Sequence, residues 1–600
     1  MDNSNNDNNN IIKSPQSAQN SYPLKKHIQY KPNPKNKITT FFALGGIQEV
    51  GKNCYCFEHD NEILVIDIGI KMADKNIPGV QAIAPNFKYL NTPGKKIVVI
   101  ITHGHEDHIG AINVFLKTVK NVPIIYGPKF AIELIKSKLK YDFNSFKGQF
   151  VTVQKNKVYH TKNFSFEYFS VNHSIPDAYG IIFRTVNGTI VTTGDFKFDL
   201  TPIAGFADYY NISKIGHEKV DLLIADSTNA CVPGFTKSEK EVALSLEKLL
   251  KDATGRIIIS TFSSNVWRFY EIIKIAQKLN KKVFIFGKNF EKMVQIANKI
   301  KYISYPPDSV LPASRLKYTP ENKVIVLCTG SQGEPLAALT KIANNDHKFI
   351  KIQPNDTIIF SSNPIPGNFL SVQETIDKLS KIGANIVANG EILTEGVHLH
   401  TSGHASVEEQ KLMLNLIQPH HFAPIHGEYH MLVAHKKTAI KCGVNPKNIF
   451  ILNNGDCLAL KNKKVYQAHT VFSGNLYLSE KSARGRIQIA QENVINDQII
   501  MGNDGVIVIS MLYDCKKNII IQNPQIKIYG SNLNESKVID KLKNIVKLSP
   551  QSFTDNINQM NINEYITNFK NHINGLITSY IFSIRAKKPL IIPICVTVNK

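Results

Sequence analysis

The segment VIITHGHEDHIG, residues 99–110, runs a short apolar strand straight into three histidines and two acids within six positions. A β-branched run ending in a Gly-containing turn puts the next residues on a loop at a sheet edge, where His103, His105, Asp107 and His108 can converge. Imidazole nitrogen and carboxylate oxygen suit zinc or manganese, and a catalytic centre keeps one coordination position for water. A single histidine is usually a packing or surface residue, but four donors in so short a stretch favour a chelating loop over a purely structural one. Two ions need further ligands, and other apolar runs end in candidates: His173 in YFSVNHSIPDAYG, Asp195 in TIVTTGDFKFD and His426 in HFAPIHGEYH. Taken singly, His173 serves as well to cap a turn and Asp195 to begin one.

With 600 residues the chain is long enough for about two to four domains with real cores. Its net charge of +23 points to a polyanionic partner, nucleic acid or an anionic membrane, without locating a site. No apolar run is long enough to span a membrane, and MDNSNNDNNN lacks the charged-then-apolar order of a secretory signal, so a soluble cytoplasmic protein without a transmembrane segment is expected. The eight cysteines are scattered; Cys54 and Cys56 alternate along an expected strand as reduced structural residues. Residues 1–37, rich in Asn, Ser, Pro and Lys, read as a disordered basic tail. Short β-branched runs broken by Gly, Asn or Asp come next, and from SEKEVALSLEKLLKDA onward helical spacing alternates with RIIIST, KKVFIFG and KVIVLCTG, the order of a parallel sheet flanked by helices. SVEEQKLMLNLIQ, another helix, leads into HHFAPIHGEYH, and a third region of strands and helix occupies the C-terminal end.

The ordered set HxHxDH, His, Asp, His resembles the metallo-β-lactamase superfamily, an αβ/βα sandwich with a two-metal site at one sheet edge. The resemblance implies one ion held by His103, His105, His173 and Asp195 and another by Asp107, His108, Asp195 and His426, with Asp195 bridging and Asp67 of VIDIGI supporting the loop. About 230 residues separate Asp195 from His426, far more than such a core needs. That insertion resembles the β-CASP domain of nucleases, on Asp226 in LLIADSTNA, His404 in TSGHAS and His426 in APIHGEY. GGIQEVGKN, NHSIPDAYG, DSTNACVPGFTKSE, TGSQGEP, SSNPIPGN and HTSGHASVEEQKLMLNLI narrow the resemblance to the bacterial ribonuclease J family, from residue 38 to the C-terminus and strongest through 465.

The implied fold class is α/β: a metallo-β-lactamase sandwich at 38–236 and 402–465, an inserted β-CASP α/β domain at 237–401, a linker at 466–490 and a small C-terminal α+β domain at 491–600. Ser264, Asn265 and Val266, with His400, Thr401, Ser402, Gly403 and His404, match the family's substrate contacts, and Asp107, Asp226 and His404 its catalytic residues. Their hydroxyl, amide and backbone groups suit phosphate and ribose better than base identity, which predicts weak sequence preference. Gly-rich or Pro-ordered backbone in CTGSQGEP and SNPIPGN could hold phosphate oxygens. Asp226 either orients the network around the metal site or transfers a proton. The implied activity is metal-dependent 5′-to-3′ exonuclease and endonuclease cleavage of single-stranded RNA, preferably 5′-monophosphorylated, in rRNA processing, RNA maturation and mRNA decay. Two divalent ions per subunit are implied, zinc before manganese, in a homodimer or homotetramer, with a second ribonuclease J or an RNA helicase as further partners. Some members bind a structural calcium through acids replaced here by Gln81 and Ser479, so none is expected there. Trp267, the only tryptophan, either stacks on a base or, as is commoner, packs in a core. The alternatives are a DNA-directed β-CASP nuclease, which shares the metal chemistry but not the surrounding segments, and a non-catalytic RNA-binding scaffold, against which the intact ligand set argues.

Overall fold

The computed structural model describes residues 38–73, 77–139, 146–330, 337–364, 368–388, 397–479, 488–531, 536–555 and 560–598. The expected tail, 1–37, lies outside them, as do 331–336 and 365–367, which contain most of the Gly- and Pro-rich turns read as phosphate-holding backbone.

Two sheets carry the site. The first has eight strands, in the order Lys464–Thr470, Asp456–Lys461, Thr39–Gly45, Cys54–His59, Glu62–Ile66, Lys96–Ile100, Ile124–Gly127 and Gln149–Thr152. The second has six: His421–Ile425, Leu222–Asp226, Gly188–Thr192, Tyr179–Thr185, Ser165–Ser170 and Tyr159–His160. Side chains alternate across each strand, and both faces of the first sheet are covered. Tyr55, Phe57, Leu64 and Ile66 meet Phe166, Phe183, Leu222 and Ile224 of the second sheet, whereas Cys54, Cys56, Ile63 and Val65 face helices on the other side. The two cysteines are accordingly buried and free.

Register decides where the chemistry falls. Glu62–Ile66 runs parallel to Lys96–Ile100 with Ile66 opposite Ile100, so Asp67 and the HGHEDH loop leave the first sheet at one edge. In the second sheet Thr192 lies opposite Ile224 and Asp226 opposite Ile425, all parallel, which brings Asp195, Asp226 and His426 to one edge. The chain thus leaves the sandwich after Asp226 and returns beside the strand it left.

The insertion between those strands is a six-stranded parallel sheet, ordered Val310–Leu311, Lys282–Phe286, Val324–Cys328, Ile257–Ser260, Thr357–Phe360 and Asn385–Val387. Its strands are continuous apolar runs because helices cover both faces. Glu239–Asp252, Val266–Lys278 and Lys288–Lys299 pack on Ile257 and Ile259, while Ala338–Ala343 and Phe369–Lys381 pack on Ile258. Ser238 opens the first of these helices with a capping box completed by Glu241, the N-terminal signal that S-x-x-E carries in sequence.

The stretch read as a linker contains a strand instead. Asn475–Ser479 pairs antiparallel with Val80–Pro85, Leu478 opposite Ala82, because Leu478 buries its side chain in the core that also takes Ala82 and Ala84. Ser479 faces Val80 in the same ladder, next to Gln81. At the C-terminal end Val506–Asp514 pairs parallel with Leu590–Thr597 and antiparallel with Gln525–Tyr529. Helix Ile562–Arg585 lays Tyr565, Phe569, Ile573, Ile577 and Ile581, every fourth residue, over Ile507 and Ile509. The α/β sandwich, the inserted parallel sheet and the α+β end are the architecture that the resemblance implies. Among the described residues no helix is long and apolar enough to cross a membrane.

Candidate metal centre

The HGHEDH loop is held by backbone before any side chain acts. The carbonyls of Glu106, Asp107 and His108 accept from the amides of Ile70, Asn53 and Ile68 at 3.1, 3.0 and 2.7 Å. That approach requires glycine at position 69, where a Cβ would stand 1.5 Å from the Asp107 carbonyl oxygen. Asp67 sits in the left-handed region (φ 61°), and so does His426 (φ 51°). Both are non-glycine residues held in a costly conformation by the structure around them.

Two donor sets then converge. In the first, His105 Nδ1 lies 3.1 Å from His103 Nε2 and 3.0 Å from His173 Nε2, and Asp195 Oδ2 lies 3.7 and 3.8 Å from the latter two atoms. In the second, His108 Nε2 is 3.1 Å from Asp195 Oδ2 and 3.5 Å from Asp107 Oδ2, and His426 Nε2 is 3.3 Å from Asp107 Oδ2. Ligand bonds of about 2.0–2.1 Å in a tetrahedron set donors about 3.3–3.4 Å apart, so both sets fit a small divalent ion. They share Asp195. A third grouping, Asp195, Asp226, His404 and His426, is equally compact.

Outer partners orient the rings. Asp67 Oδ2 takes His108 Nδ1 at 2.7 Å and the Thr102 hydroxyl at 2.7 Å, and Asp67 Oδ1 accepts from the Thr102 amide at 2.8 Å. Thr102 Oγ1 meets His103 Nδ1 at 3.0 Å, the Gly403 carbonyl takes His173 Nδ1 at 2.7 Å, and Thr228 Oγ1 meets His426 Nδ1 at 2.7 Å. Each Nδ1 is thereby occupied and each Nε2 is turned inward. His105 is reversed, with Nδ1 inward. Gly403 comes so close that a Cβ there would lie 2.6 Å from His173 Nδ1 and Cε1.

Charge divides the two sets. Burial, reinforced by neighbouring imidazoles, keeps His103 and His173 well below the usual histidine range. Burial also takes His105 down to about 4 against the pull of Asp107 and Asp195. Neutral imidazole is the form that ligates. In the second set burial works against ionised His108 and His426, yet the carboxylates prevail: Asp195 and Asp107 hold His108 well above its usual value, and Asp195, Asp107 and Asp226 raise His426 to about 10. Burial likewise opposes ionised Asp107, and His108 and His426 hold it well below the carboxylate range. The carboxylates of Asp107, Asp195 and Asp226 thus favour positive charge in this set, which a divalent ion would supply in place of the protons on His108 and His426.

Beside the donors, Asp226 Oδ2 meets His404 Nδ1 at 2.7 Å, while Asp226 Oδ1 accepts from the Thr228 amide and hydroxyl at 2.9 and 2.8 Å. Burial opposes a charged His404, but Asp226 and then Asp195 raise it above the ordinary value. Of the expected substrate contacts, Ser264, His400, Ser402 and His404 are half-buried, whereas Asn265, Val266, Thr401 and Gly403 are buried. Asn265 spends its side chain inward, accepting from the Arg268 amide at 3.1 Å and donating to Glu239 at 2.9 Å. The Thr401 hydroxyl donates to the Lys237 carbonyl at 2.6 Å. Trp267 packs against the core and lines a cavity of about 470 Å3 that also reaches His173, Asp199, Glu239 and Tyr302. Sequence reading missed Asn53, Thr102, Thr228 and Arg268. Thr102 and Thr228 stand at the ends of apolar strands beside named candidates, a readable position; Asn53, whose Nδ2 lies 3.0 Å from His108 Nε2, closes the quoted GGIQEVGKN, but no donor pattern there points to its role.

A sandwich whose two sheets end in a shared His/Asp cluster, with a doubly wound domain inserted beside it, defines a metallo-β-lactamase hydrolase with a β-CASP insertion. The comparisons agree segment by segment: residues 47–259 match the metallo-beta-lactamase superfamily, 254–379 the ribonuclease J beta-CASP domain, and 392–452 a Zn-dependent metallo-hydrolase RNA specificity domain. Ribonuclease J of Mycoplasma genitalium is 36% identical over 92% of this chain and 96% of its own length. Ribonuclease J 1 of Streptococcus pyogenes is 36% identical over 96% of this chain and 100% of its own, and Ribonuclease J2 of Bacillus subtilis 32% over 95% and 100%. The chain belongs to the ribonuclease J family, and with that family it is a metal-dependent hydrolytic nuclease.

Proposed function

We propose that the protein degrades and matures single-stranded RNA in the cytoplasm as a 5′-to-3′ exonuclease with endonuclease activity, preferring a 5′-monophosphate end and leaving 5′-phosphorylated products. The observation that carries this reading is the pair of donor sets sharing Asp195, with Asp226 and His404 alongside them. His103, His105, His173 and Asp195 would hold one divalent ion and Asp107, His108, Asp195 and His426 the other, zinc in preference to manganese because the donors are imidazole and carboxylate in fours. Such ions activate water at neutral pH and neutralise charge on the phosphodiester.

The chain's own residues do the rest. Asp226 fixes His404 through Nδ1, so His404 Nε2 is left to donate to the phosphate as negative charge builds on it. The rise in His404 basicity serves that donation. Ser264 and Ser402, half-buried, would contact phosphate and ribose, which every sequence offers. A net charge of +23 supplies attraction along the RNA. We place the sandwich at 38–236 and 402–465 and the insertion at 237–401, and assign the protein to homodimers or homotetramers.

The test incubates zinc- or manganese-loaded protein with 5′-monophosphorylated single-stranded RNA and the matching DNA. Release of 5′ mononucleotides from RNA is expected, and its loss in Asp107→Asn/His108→Gln with RNA binding retained. Equal cleavage of DNA refutes the RNA specificity, and binding without cleavage by the wild type refutes the enzyme.

A further inference from the structure

A buried arginine, ion-paired with Glu239, stands just after the expected substrate-contact stretch 264–266 and reaches His400 of the other stretch, 400–404. Arg268, near the start of helix Val266–Lys278, is 1% exposed. Its Nε and Nη2 donate to the two Glu239 oxygens at 3.2 and 2.7 Å, and Nη1 donates to the Ser361 carbonyl at 2.7 Å. The same Nη1 stands 3.0 Å from Nδ1 of His400. Guanidinium has donors only, so His400 Nδ1 must present its lone pair and the ring proton must sit on Nε2. Burial and the adjacent Arg268 charge push His400 down to about 3, so the ring is neutral. His400 is half-buried, and its Nε2 makes no hydrogen bond among the described residues. The pair is further braced by Asn265, whose amide donates to Glu239 at 2.9 Å, and Ser361 Oγ donates to the Leu399 carbonyl at 2.7 Å beside His400.

We propose that Arg268 is a positioning residue for the substrate: it fixes His400 in the Nε2–H tautomer, so that this neutral imidazole donates a hydrogen bond to a phosphate oxygen of the RNA backbone. An imidazole free to choose its tautomer would present an acceptor to the phosphate part of the time, and an acceptor repels it. The histidine beside the metal site, His404, is charged-leaning and held by a carboxylate; His400 is its neutral counterpart, held by a cation. The proposal rests on the RNA-cleaving reading above.

The test uses full-length metal-loaded protein with 15N-labelled histidine. Long-range proton–nitrogen correlations should show His400, assigned by the signals lost in His400→Gln, as the Nε2–H form. In Glu239→Gln/Arg268→Met, which removes the donor together with its carboxylate partner and leaves Lys197 paired with Asp199, the Nδ1–H form should become populated and KM for 5′-monophosphorylated RNA should rise about tenfold, with kcat within about threefold. Adding His400→Gln, whose amide donates from the Nε2 position whatever Arg268 does, should return KM to that of His400→Gln alone. Arg268→Lys is the second variant, should the pair fail to fold: it keeps Glu239 paired but lacks the fork's other arm, and the same tautomer and KM shifts are expected. An unchanged His400 signal, or an unchanged KM despite a changed tautomer, overturns the proposal. A wild type that does not turn over RNA overturns the functional reading and the substrate half of this one together, while the tautomer signal still reports whether Arg268 sets it.

Discussion

A single methyl at residue 403 tests the metal site without replacing a donor. The Gly403 carbonyl accepts His173 Nδ1 at 2.7 Å, and a Cβ on Gly403 would lie 2.6 Å from His173 Nδ1 and Cε1 and 3.1 Å from Ser174 Oγ. Ordinary carbon contacts begin near 3.5 Å, so the His173 ring must retreat by about 0.9 Å or the 402–404 backbone must move by as much. Gly403 has no left-handed φ, and alanine there suffers only the contact. Because His173 Nε2 belongs to the first donor set, its retreat spoils one of four ligands, and a misplacement of about 1 Å in a catalytic constellation costs about 100-fold. Gly403→Ala should lower kcat/KM for RNA about 100-fold and reduce bound metal measured by elemental analysis. Gly205→Ala, with nothing within 4 Å of its Cβ, is the matched control and should behave as wild type. Full metal content and undiminished turnover in Gly403→Ala would refute the claim that the 2.7 Å bond to His173 organises the first set.

Asp67→Asn removes a charged partner from His108 Nδ1 and should cost about 10- to 100-fold in metal affinity or activity, read by chelator competition and turnover. Arg268→Met alone strands buried Glu239 and should cost about 3–5 kcal/mol in denaturant unfolding, most of it recovered in Glu239→Gln/Arg268→Met. Burial would raise the Glu239 carboxyl, but Arg268 and then Lys197 hold it below its ordinary value. A depressed carboxyl adds stability above its unfolded pKa that is lost as pH falls through the folded value, so wild type should lose its advantage over the Glu239→Gln/Arg268→Met variant as pH drops below about 4.5. Thermal unfolding of both across pH 3–7 measures it, and parallel curves would count against the ion pair. Ile577→Ala, in the fully buried stripe of the last helix, should cost about 2–5 kcal/mol without altering metal content.

The sandwich is legible in sequence where strands announce themselves, as alternating or continuous apolar runs punctuated by Gly, Asn and Asp, and the inserted sheet where helical and strand periods alternate. The supposed linker is a different case, because one alternating run, NLYLS, is too short to distinguish a strand from a spacer until Val80–Pro85 offers it a partner. The substrate stretch is only half legible. Position in the family motif puts Ser264, Asn265 and Val266 together, but a helix start turns Asn265 and Val266 inward, and Asn265 is consumed as the cap that accepts the Arg268 amide. Arg268 escapes notice because a buried arginine carries no local signature; its partners Glu239, Ser361 and His400 come from three distant segments.

That distance is also the physics of the metal site. The HGHEDH loop offers His103, His105, Asp107 and His108 from the edge of one sheet, and neither donor set closes without Asp195 from the other. His173 and His426 likewise belong to the second sheet's side, and His173 is oriented by Gly403, beyond the whole inserted domain. A local motif therefore identifies the chemistry, whereas the centre exists only when the two sheets pack face to face with their donor-bearing strand ends on the same side. Ions that bind the closed arrangement and not the separated edges must stabilise the closed one by mass action. Chelation should accordingly lower the unfolding midpoint of the wild type, and it should do so far less in Asp195→Asn, where both sets lose their shared ligand; an equal fall in both would separate metal binding from the joining of the sheets.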